Sequence, residues 1–80
     1  MKNIKFFYII APNKREAEQI AIKLLENKLI ACANIIGNVG SYFVWKNKIH
    51  NSKEIIIFGK TISKNQKEII QIVKGLHSYS

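Results

Sequence analysis

Residues 29–45 have the sequence Leu29-Ile30-Ala31-Cys32-Ala33-Asn34-Ile35-Ile36-Gly37-Asn38-Val39-Gly40-Ser41-Tyr42-Phe43-Val44-Trp45. This run is mostly apolar, ends in aromatic residues and predicts one long strand over about residues 30–45. Gly37 and Gly40 interrupt it, and isolated glycines inside a strand usually mark a bulge or a bend. We therefore expect a long, curved strand that must pair with neighbouring segments to satisfy its backbone groups.

Two elements precede this strand. Residues 5–10 form a short aromatic and β-branched run that predicts a buried strand, and Pro12 ends it. Asn13 predicts a helix N-cap, with Glu16 at the capping-box position. Over residues 14–27 the apolar side chains recur with helical spacing and predict one buried face: Ala17, Ile20, Ala21, Leu24 and Leu25. A strand, a capped helix and a second strand predict a right-handed βαβ crossover.

Two further elements follow the long strand. The polar run Lys46-Asn47-Lys48 predicts a hairpin turn, and the return strand includes residues 54–62. Ser63 predicts a second N-cap, with Gln66 at the capping-box position. An apolar stripe then predicts a second helix that ends near Gly75 and His77, and its members are Ile69, Ile72, Val73 and Leu76.

The element order β-α-β-β-α predicts an α+β, ferredoxin-like fold. This is a two-layer sandwich in which an antiparallel sheet carries two helices on one face. A ferredoxin-like domain has a fourth strand beside the first one, and the sequence offers no segment for it. The strand at residues 5–10 should then be an apolar sheet edge, which favours pairing with another chain. We expect a fold that is incomplete at its C-terminus and that hides its apolar surfaces by association with copies of itself.

Composition narrows the classes of protein that remain. The 80 residues make one domain, residues 1–80, and a chain this short buries only about 60–65% of its unfolded surface. A single cysteine, the absence of a signal-peptide pattern and the absence of a membrane-length apolar run predict a cytoplasmic protein without a membrane span. The net charge is +8, but the cations are spread along the chain and all except one are lysine. That pattern favours a solvated basic surface over nucleic-acid binding.

Several separated motifs resemble the CutA divalent-cation tolerance family. They are Ala17-Glu18, Ile20-Ala21, Leu24-Leu25-Glu26, Leu29-Ile30-Ala31-Cys32-Ala33-Asn34-Ile35, Val39, Ser41-Tyr42, Trp45, Asn47-Lys48, Glu54, Lys60-Thr61 and Leu76-His77-x-Tyr79. The resemblance implies a ferredoxin-like homotrimer linked to tolerance of divalent metal ions, copper above all. It also implies a C-terminally truncated member, because the family continues into a Pro-Glu-containing strand and a final helix.

The same resemblance suggests site residues. Cys32 and Asn34 belong to the family-signature core, and Cys32 is expected to be a small buried hydrophobe. The candidate subunit-interface or cleft residues are Ser41, Tyr42, Trp45, Lys60 and Tyr79. His77 is the one metal-ligand candidate, for copper or another divalent cation, and three copies of it could meet in a trimer. Cys32, His50 and His77 show no ligand spacing within one chain.

Catalysis finds no support in the sequence, so we predict a non-enzyme. The chain contains no aspartate, and it shows neither a Ser/His/carboxylate arrangement nor a Gly-rich phosphate loop. Two alternatives to metal tolerance remain open at this point. One is a polyanion-binding module that uses the basic surface. The other is a signalling scaffold similar to the PII regulators, which place small effectors in clefts between subunits.

Overall fold

A computed structural model describes residues 4–76 of the chain. The secondary-structure elements, in chain order, are β1 (Ile4–Ala11), α1 (Lys14–Glu26), β2 (Cys32–Trp45), β3 (Lys48–Ile62) and α2 (Gln66–Leu76). A 3-10 turn, Ser63–Asn65, leads into α2. The order β-α-β-β-α confirms the predicted α+β, ferredoxin-like architecture.

Strand β3 lies at the centre of a three-stranded sheet with the order β1-β3-β2. Both neighbours run antiparallel to β3, and Ile57 stands opposite Ile9 on one side and Ile35 on the other. Strands β1 and β2 are therefore parallel to each other, as the predicted βαβ crossover through α1 requires. Within residues 4–76, β1 and β2 form the two edges of the sheet.

The core lies between one face of the sheet and the two helices. Ile20 and Leu24 of α1 and Ile57 of β3 are its largest fully buried side chains. Ile69 of α2 completes the buried cluster, and Phe7 and other half-buried residues pack around it. Because side chains alternate along a strand, the odd-numbered residues of β1 and of the second half of β3 face the helices. The even-numbered residues face the other way.

The predicted cap of α1 is confirmed. Asn13 has extended backbone angles, and its Oδ1 accepts a hydrogen bond of 2.8 Å from the backbone N–H of Glu16. At the other end, the Nδ2 of Asn27 donates to the Lys23 carbonyl oxygen at 2.8 Å. These contacts satisfy backbone groups that a helix leaves unpaired at its ends.

We expect the substitution Asn13→Ala to lower the free energy of unfolding by about 1 kcal/mol, because it removes the acceptor for the Glu16 N–H. Urea unfolding followed by circular dichroism measures the change. Asn13→Ser keeps an acceptor at the same place and should retain most of the stability. Equal stability of the alanine variant and the parent would contradict the assigned cap.

A bulge interrupts β2 at the predicted Gly37 position. The register shifts between Ile36 and Val39, which confirms a bulge in this part of β2. However, the left-handed backbone angle belongs to Asn38, with φ of 55°, and no described glycine has a positive φ. Lys46 and Asn47 also have positive φ, which is the signature of a two-residue type I′ hairpin turn.

Two details of the predicted helices are wrong. Leu25 was expected on the buried face of α1, but it is 43% exposed, because it lies at the border of that face. Ser63 was expected to be the N-cap of the second helix. The chain instead forms the 3-10 turn Ser63–Asn65 with Ile62 at its N-cap position, and α2 begins at Gln66.

The connection between α1 and β2 is tied to the end of β3. The carbonyl oxygen of Leu29 accepts hydrogen bonds from the hydroxyl of the buried Thr61 and, at 3.0 Å, from Nδ2 of Asn65. The backbone N–H of Ala31 donates to the Lys60 carbonyl oxygen at 2.9 Å. These bonds fix where the chain enters β2.

We expect Thr61→Val to lower the free energy of unfolding by about 1 kcal/mol, because the buried Leu29 carbonyl would keep only one of its two side-chain donors. Chemical denaturation measures the effect, and Thr61→Ser is the matched control that keeps the hydroxyl. A valine variant that is as stable as the serine variant would show that the hydroxyl contributes nothing.

Candidate functional site

The sheet face that points away from the helices is apolar and exposed. We call this surface the open face. Its members are Phe6, Tyr8 and Ile10 of β1, Ile56, Phe58 and Lys60 of β3, and Cys32, Asn34 and Ile36 of β2. Phe6 is 66% exposed, Tyr8 64%, Ile36 49% and Phe58 41%. A soluble single chain rarely leaves a contiguous aromatic and aliphatic surface of this kind uncovered. The open face is therefore the candidate interaction surface of the molecule.

Cross-strand contacts hold the open face together. Tyr8 and Asn34 stand on either side of Phe58 in the register, and the rings of Phe6 and Phe58 stack with centroids 6.0 Å apart. Nδ2 of Asn34 lies 3.5 Å from the Phe58 carbonyl oxygen. These aromatic and polar side chains are thus ordered before any partner arrives, which reduces the entropy lost on binding.

The β2–β3 hairpin extends the candidate surface beyond the bulge. Alternate side chains point to opposite sides of a strand, yet successive residues of this hairpin are all exposed. Their exposed fractions are 74% for Tyr42, 48% for Phe43, 71% for Val44, 60% for Trp45 and 77% for Ile49. Both sides of the hairpin arm therefore lack cover in the single chain.

The tip of the hairpin is organised by side-chain contacts. Phe43 and His50 stack with ring centroids 5.7 Å apart, and the Nζ of Lys46 lies 5.9 Å from the ring centroid of Trp45. Nε2 of His50 is 3.1 Å from the Trp45 carbonyl oxygen and donates to it in the tautomer that carries the Nε2 proton. His50 is half-buried. Its stacking on Phe43 accounts for this partial burial.

Four of the five predicted interface residues lie in strands β2 and β3. Ser41 and Tyr42 line a shallow hollow whose other walls include Tyr8 and Phe58 of the open face. Trp45 is at the hairpin tip, and Lys60 is exposed on the open face, farther from the tip. Tyr79 and His77 lie outside the described residues, so the predictions for them remain predictions.

Cys32 and Asn34 are not core residues of the single chain, which corrects the prediction. Cys32 is half-buried and Asn34 is exposed. The physical reason is the side-chain alternation of β2, which turns Ala33 and Ile35 toward the helices and their neighbours toward the open face. Cys32 stands opposite Lys60, which has Phe6 on its other side.

Sequence reasoning missed the contribution of the first strand to this surface. Phe6 and Tyr8 alternate with Phe7 and Ile9, so that both faces of β1 are apolar. Such a run predicts a strand buried on both sides. Within the described chain one side is covered by helices and the other is exposed, and the two apolar sides of β1 were the sequence signal for such an uncovered apolar face.

The described residues do not form a metal site within one chain. Among residues 4–76, no three side chains of the types His, Cys, Asp and Glu come together closely enough to hold an ion. Copper and zinc sites need about three or four such donors converging on one point.

Comparison with known proteins identifies the fold family. The sequence pattern of the CutA1 divalent ion tolerance protein family matches residues 5–80. The chain belongs to the CutA1 divalent ion tolerance family. It is 45% identical over 75 residues to the divalent-cation tolerance protein CutA of Archaeoglobus fulgidus, an alignment that covers 94% of this chain and 72% of the relative. A solved structure from the same organism, described as a periplasmic divalent cation tolerance protein, covers 95% of this chain and 74% of its own, with 45% identity and a TM-score of 0.86.

Two other CutA proteins give the same picture. The crystal structure of CutA1 from Ehrlichia chaffeensis has a TM-score of 0.86 and 42% identity, and the match covers 99% of this chain and 74% of that one. The CutA homolog of Xenopus laevis is 35% identical over 72 residues, which are 90% of this chain and 48% of the homolog. The chain thus spans from about 40% to about three-quarters of the length of the CutA proteins that it matches.

The alternatives to CutA gain no support from the structure. The described lysines are all exposed, and they are distributed over the strands, both helices and the connections between them.

Neither α1 nor α2, the helices within residues 4–76, has the length and apolar character that crossing a bilayer requires.

Proposed function

We propose that this CutA chain acts in divalent ion tolerance as a non-catalytic, cytoplasmic homotrimer. The observation that carries this proposal is the exposed open face, which a single chain leaves in water. Burial of such a surface against copies of the chain would supply the favourable free energy of assembly, because apolar surface removed from water is the main driving force of association.

The hairpin arm supports the homotrimer. The molecule measures 41 × 25 × 21 Å, so it is elongated, and the hairpin arm offers apolar residues on both of its sides. In a closed ring of copies, one side of each hairpin arm would contact its own chain and the other side would contact a neighbouring copy. Tyr42, Val44 and Trp45 are the arm residues that would contact the neighbour.

Any metal site would have to combine donors from several copies. Cys32 lies on the open face, so self-association through this face would bring its copies closer together. His77, outside the described residues, remains the predicted ligand. Copper is the first ion to test, because the resemblance to CutA implies it. The relatives' names state tolerance of divalent cations as a property of those proteins, and here it belongs to the proposal.

A non-catalytic role fits the composition, since the only side-chain carboxyl groups are five glutamates, without any aspartate. A cytoplasmic location fits the single cysteine, which is a free thiol on the open face. Cell fractionation tests the location directly. Recovery of the chain with the periplasmic fraction, in line with the description of the Archaeoglobus structure, would overturn that part of the proposal.

The test of function is growth in the presence of copper. We expect a strain that lacks this chain to stop growing at a lower copper concentration than its parent, and expression of the chain to restore growth. The variant Ile36→Lys, which charges the open face, should fail to restore it. Ile22→Lys is the matched control, since Ile22 is equally apolar and 54% exposed but lies on α1.

Two outcomes of the growth test would contradict the proposal. Equal copper sensitivity of the deletion strain and its parent would remove the tolerance function. Full rescue by Ile36→Lys, with the variant shown to be monomeric, would separate the function from the assembly.

A further inference from the structure

A cavity lies at the end of the sheet that is farthest from the hairpin turn. Its volume is about 330 Å³, and its walls are Ile4 of β1, residues 28–31 between α1 and β2, residues 60–62 of β3, and Asn65. We call it the end cavity. It is distinct from the hollow beside the hairpin arm, because the two share no lining residue.

The walls of the end cavity are largely aliphatic and are held in place. Leu29 and Ile30 belong to the buried core, and Ile62 is 37% exposed. The hydrogen bonds from Thr61 and Asn65 to the Leu29 carbonyl oxygen fix the connection that forms one wall. The volume is at the lower end of the range for ligand pockets, about 300–1,000 Å³. The end cavity therefore suits a small molecule with an aliphatic part.

Lys28 has an unfavourable backbone conformation beside the end cavity. Its φ is 56°, in the left-handed region. The N–H of Lys28 donates to the Leu25 carbonyl oxygen and the N–H of Leu29 donates to that of Leu24, each at 3.0 Å. This pair of bonds is a Schellman motif, in which glycine is the usual left-handed residue because it has no Cβ. Strained residues cluster at ligand sites, so a lysine at this position indicates a role for its side chain.

The charges around the end cavity select an anion. Strands β1 and β3 and helices α1 and α2 each have one terminus at this end of the molecule. These termini carry six exposed lysines and two glutamates, namely Lys5, Lys23, Lys28, Lys60, Lys64 and Lys67, with Glu26 and Glu68. Among the described residues that line the cavity itself, two are lysines and none is acidic. The resulting positive potential attracts an anion and repels a cation.

We propose that the end cavity binds a small aliphatic carboxylate. Its alkyl chain would lie among Ile4, Ile30 and Ile62, and its carboxylate would lie near the ammonium groups of Lys28 and Lys60. Removal of the alkyl chain from water supplies affinity, and the two lysines select a carboxylate over an amine of the same length. An anion without an apolar part gains only the charge interaction, which salt screens at an exposed site.

The test uses the 80-residue chain and hexanoate. In NMR titrations at low salt we expect saturable binding with a dissociation constant of about 1 mM, and the largest amide shifts in residues 28–31 and 60–62. Acetate and inorganic phosphate lack the alkyl chain and hexylamine has the opposite charge, so each should bind about tenfold more weakly or not at all. The inference is overturned if hexanoate does not saturate, if acetate binds as well, or if the shifts centre on Phe6 and Phe58 of the open face.

Substitution of the two lysines separates a binding role from a structural one. Lys28→Gly removes the ammonium group and relieves the left-handed strain. It should weaken hexanoate binding about tenfold, while the chain resists urea at least as well as its parent. Lys60→Gln should also weaken binding about tenfold. Lys53→Gln is the matched control, since Lys53 is an exposed lysine of β3 outside the end cavity, and it should leave binding unchanged. Binding by Lys28→Gly that equals binding by the parent would overturn the inference.

The inference is independent of the proposed homotrimer. Lys60 is also a member of the open face, so the variant Ile36→Lys, which is expected to be a single chain, provides the deciding background. Ile36 does not line the end cavity, and hexanoate should bind this variant as tightly as it binds the parent. Loss of binding in Ile36→Lys would show that a second copy completes the site, and would overturn its assignment to the single chain.

Discussion

Replacement of Ile36 by lysine is expected to convert the proposed homotrimer into single chains. Ile36 is 49% exposed and lies on the open face in the edge strand β2, opposite Ile56 of β3. Burial of a lysine ammonium group in an apolar contact, without a partner, costs several kcal/mol, and a trimer would repeat the cost in every copy. We expect the concentration at which the assembly dissociates to rise by about 10²-fold or more. Size-exclusion chromatography with light scattering measures the molar mass over a range of concentrations.

The matched control is Ile22→Lys. Ile22 is 54% exposed, but it lies on α1, and the lysine would have Glu18 and Glu26 at helical i−4 and i+4 spacing. This variant adds the same charge and removes the same apolar side chain, so it should assemble like the parent. If the two lysine variants dissociate at the same concentration, then the open face is not the surface that copies of the chain bury.

Replacement of Gly59 by alanine should have the largest effect on the fold. Gly59 is buried at the centre of the helix-facing side of β3, between Phe7 of β1 and Ala33 of β2. A Cβ there would collide with the Cys32 carbonyl oxygen and would lie 2.8 Å from Cζ of Phe7. The collision with backbone cannot be relieved by a side-chain rotation, so the strands must move apart. We expect a loss of about 3 kcal/mol in the free energy of unfolding, the upper part of the range for overpacking.

Gly75 supplies the control for this substitution. It lies in α2, a Cβ built on it would meet nothing within 4 Å, and its φ is not positive. Gly75→Ala should therefore raise stability by about 0.5–1 kcal/mol, since alanine favours the helix over the unfolded chain. Denaturant unfolding of both variants measures the difference. Equal effects of the two alanines would contradict the close packing described around Gly59.

The order of the elements and most of their bounds could be predicted from the sequence, because local signals were strong. Asn13 caps α1, as we predict from its side-chain type and from its position before an apolar helical stripe. The alternation of turn residues and β-branched runs places the hairpin turn at Lys46 and Asn47, where both backbone angles are left-handed. Such features depend on a few neighbouring residues, so a single sequence contains them.

The features that could not be predicted depend on contacts between distant segments. Whether Cys32 faces the helices or the open face depends on which residue of β3 it pairs with. That partner is Lys60, and this register cannot be read from the sequence. The need for Gly59 depends on how closely Phe7 and Cys32 approach it. Likewise, the start of α2 at Gln66 depends on how the end of β3 is held at Leu29.

The candidate site was predicted in part, for the same reason. Tyr42 and Trp45 are conspicuous because they are aromatic residues beside a hairpin turn, and the structure leaves both exposed. The larger share of the surface comes from Phe6, Tyr8 and Phe58, which in sequence resemble ordinary core residues. Only the placement of both helices on one face of the sheet shows that these side chains lack cover.

Sedimentation equilibrium of the 80-residue chain tests the central claim most directly, namely that copies of the chain bury the open face. We expect one species at three times the 9.2 kDa mass of the chain over a wide range of concentrations. A single species of 9.2 kDa that remains folded at every concentration would contradict the claim.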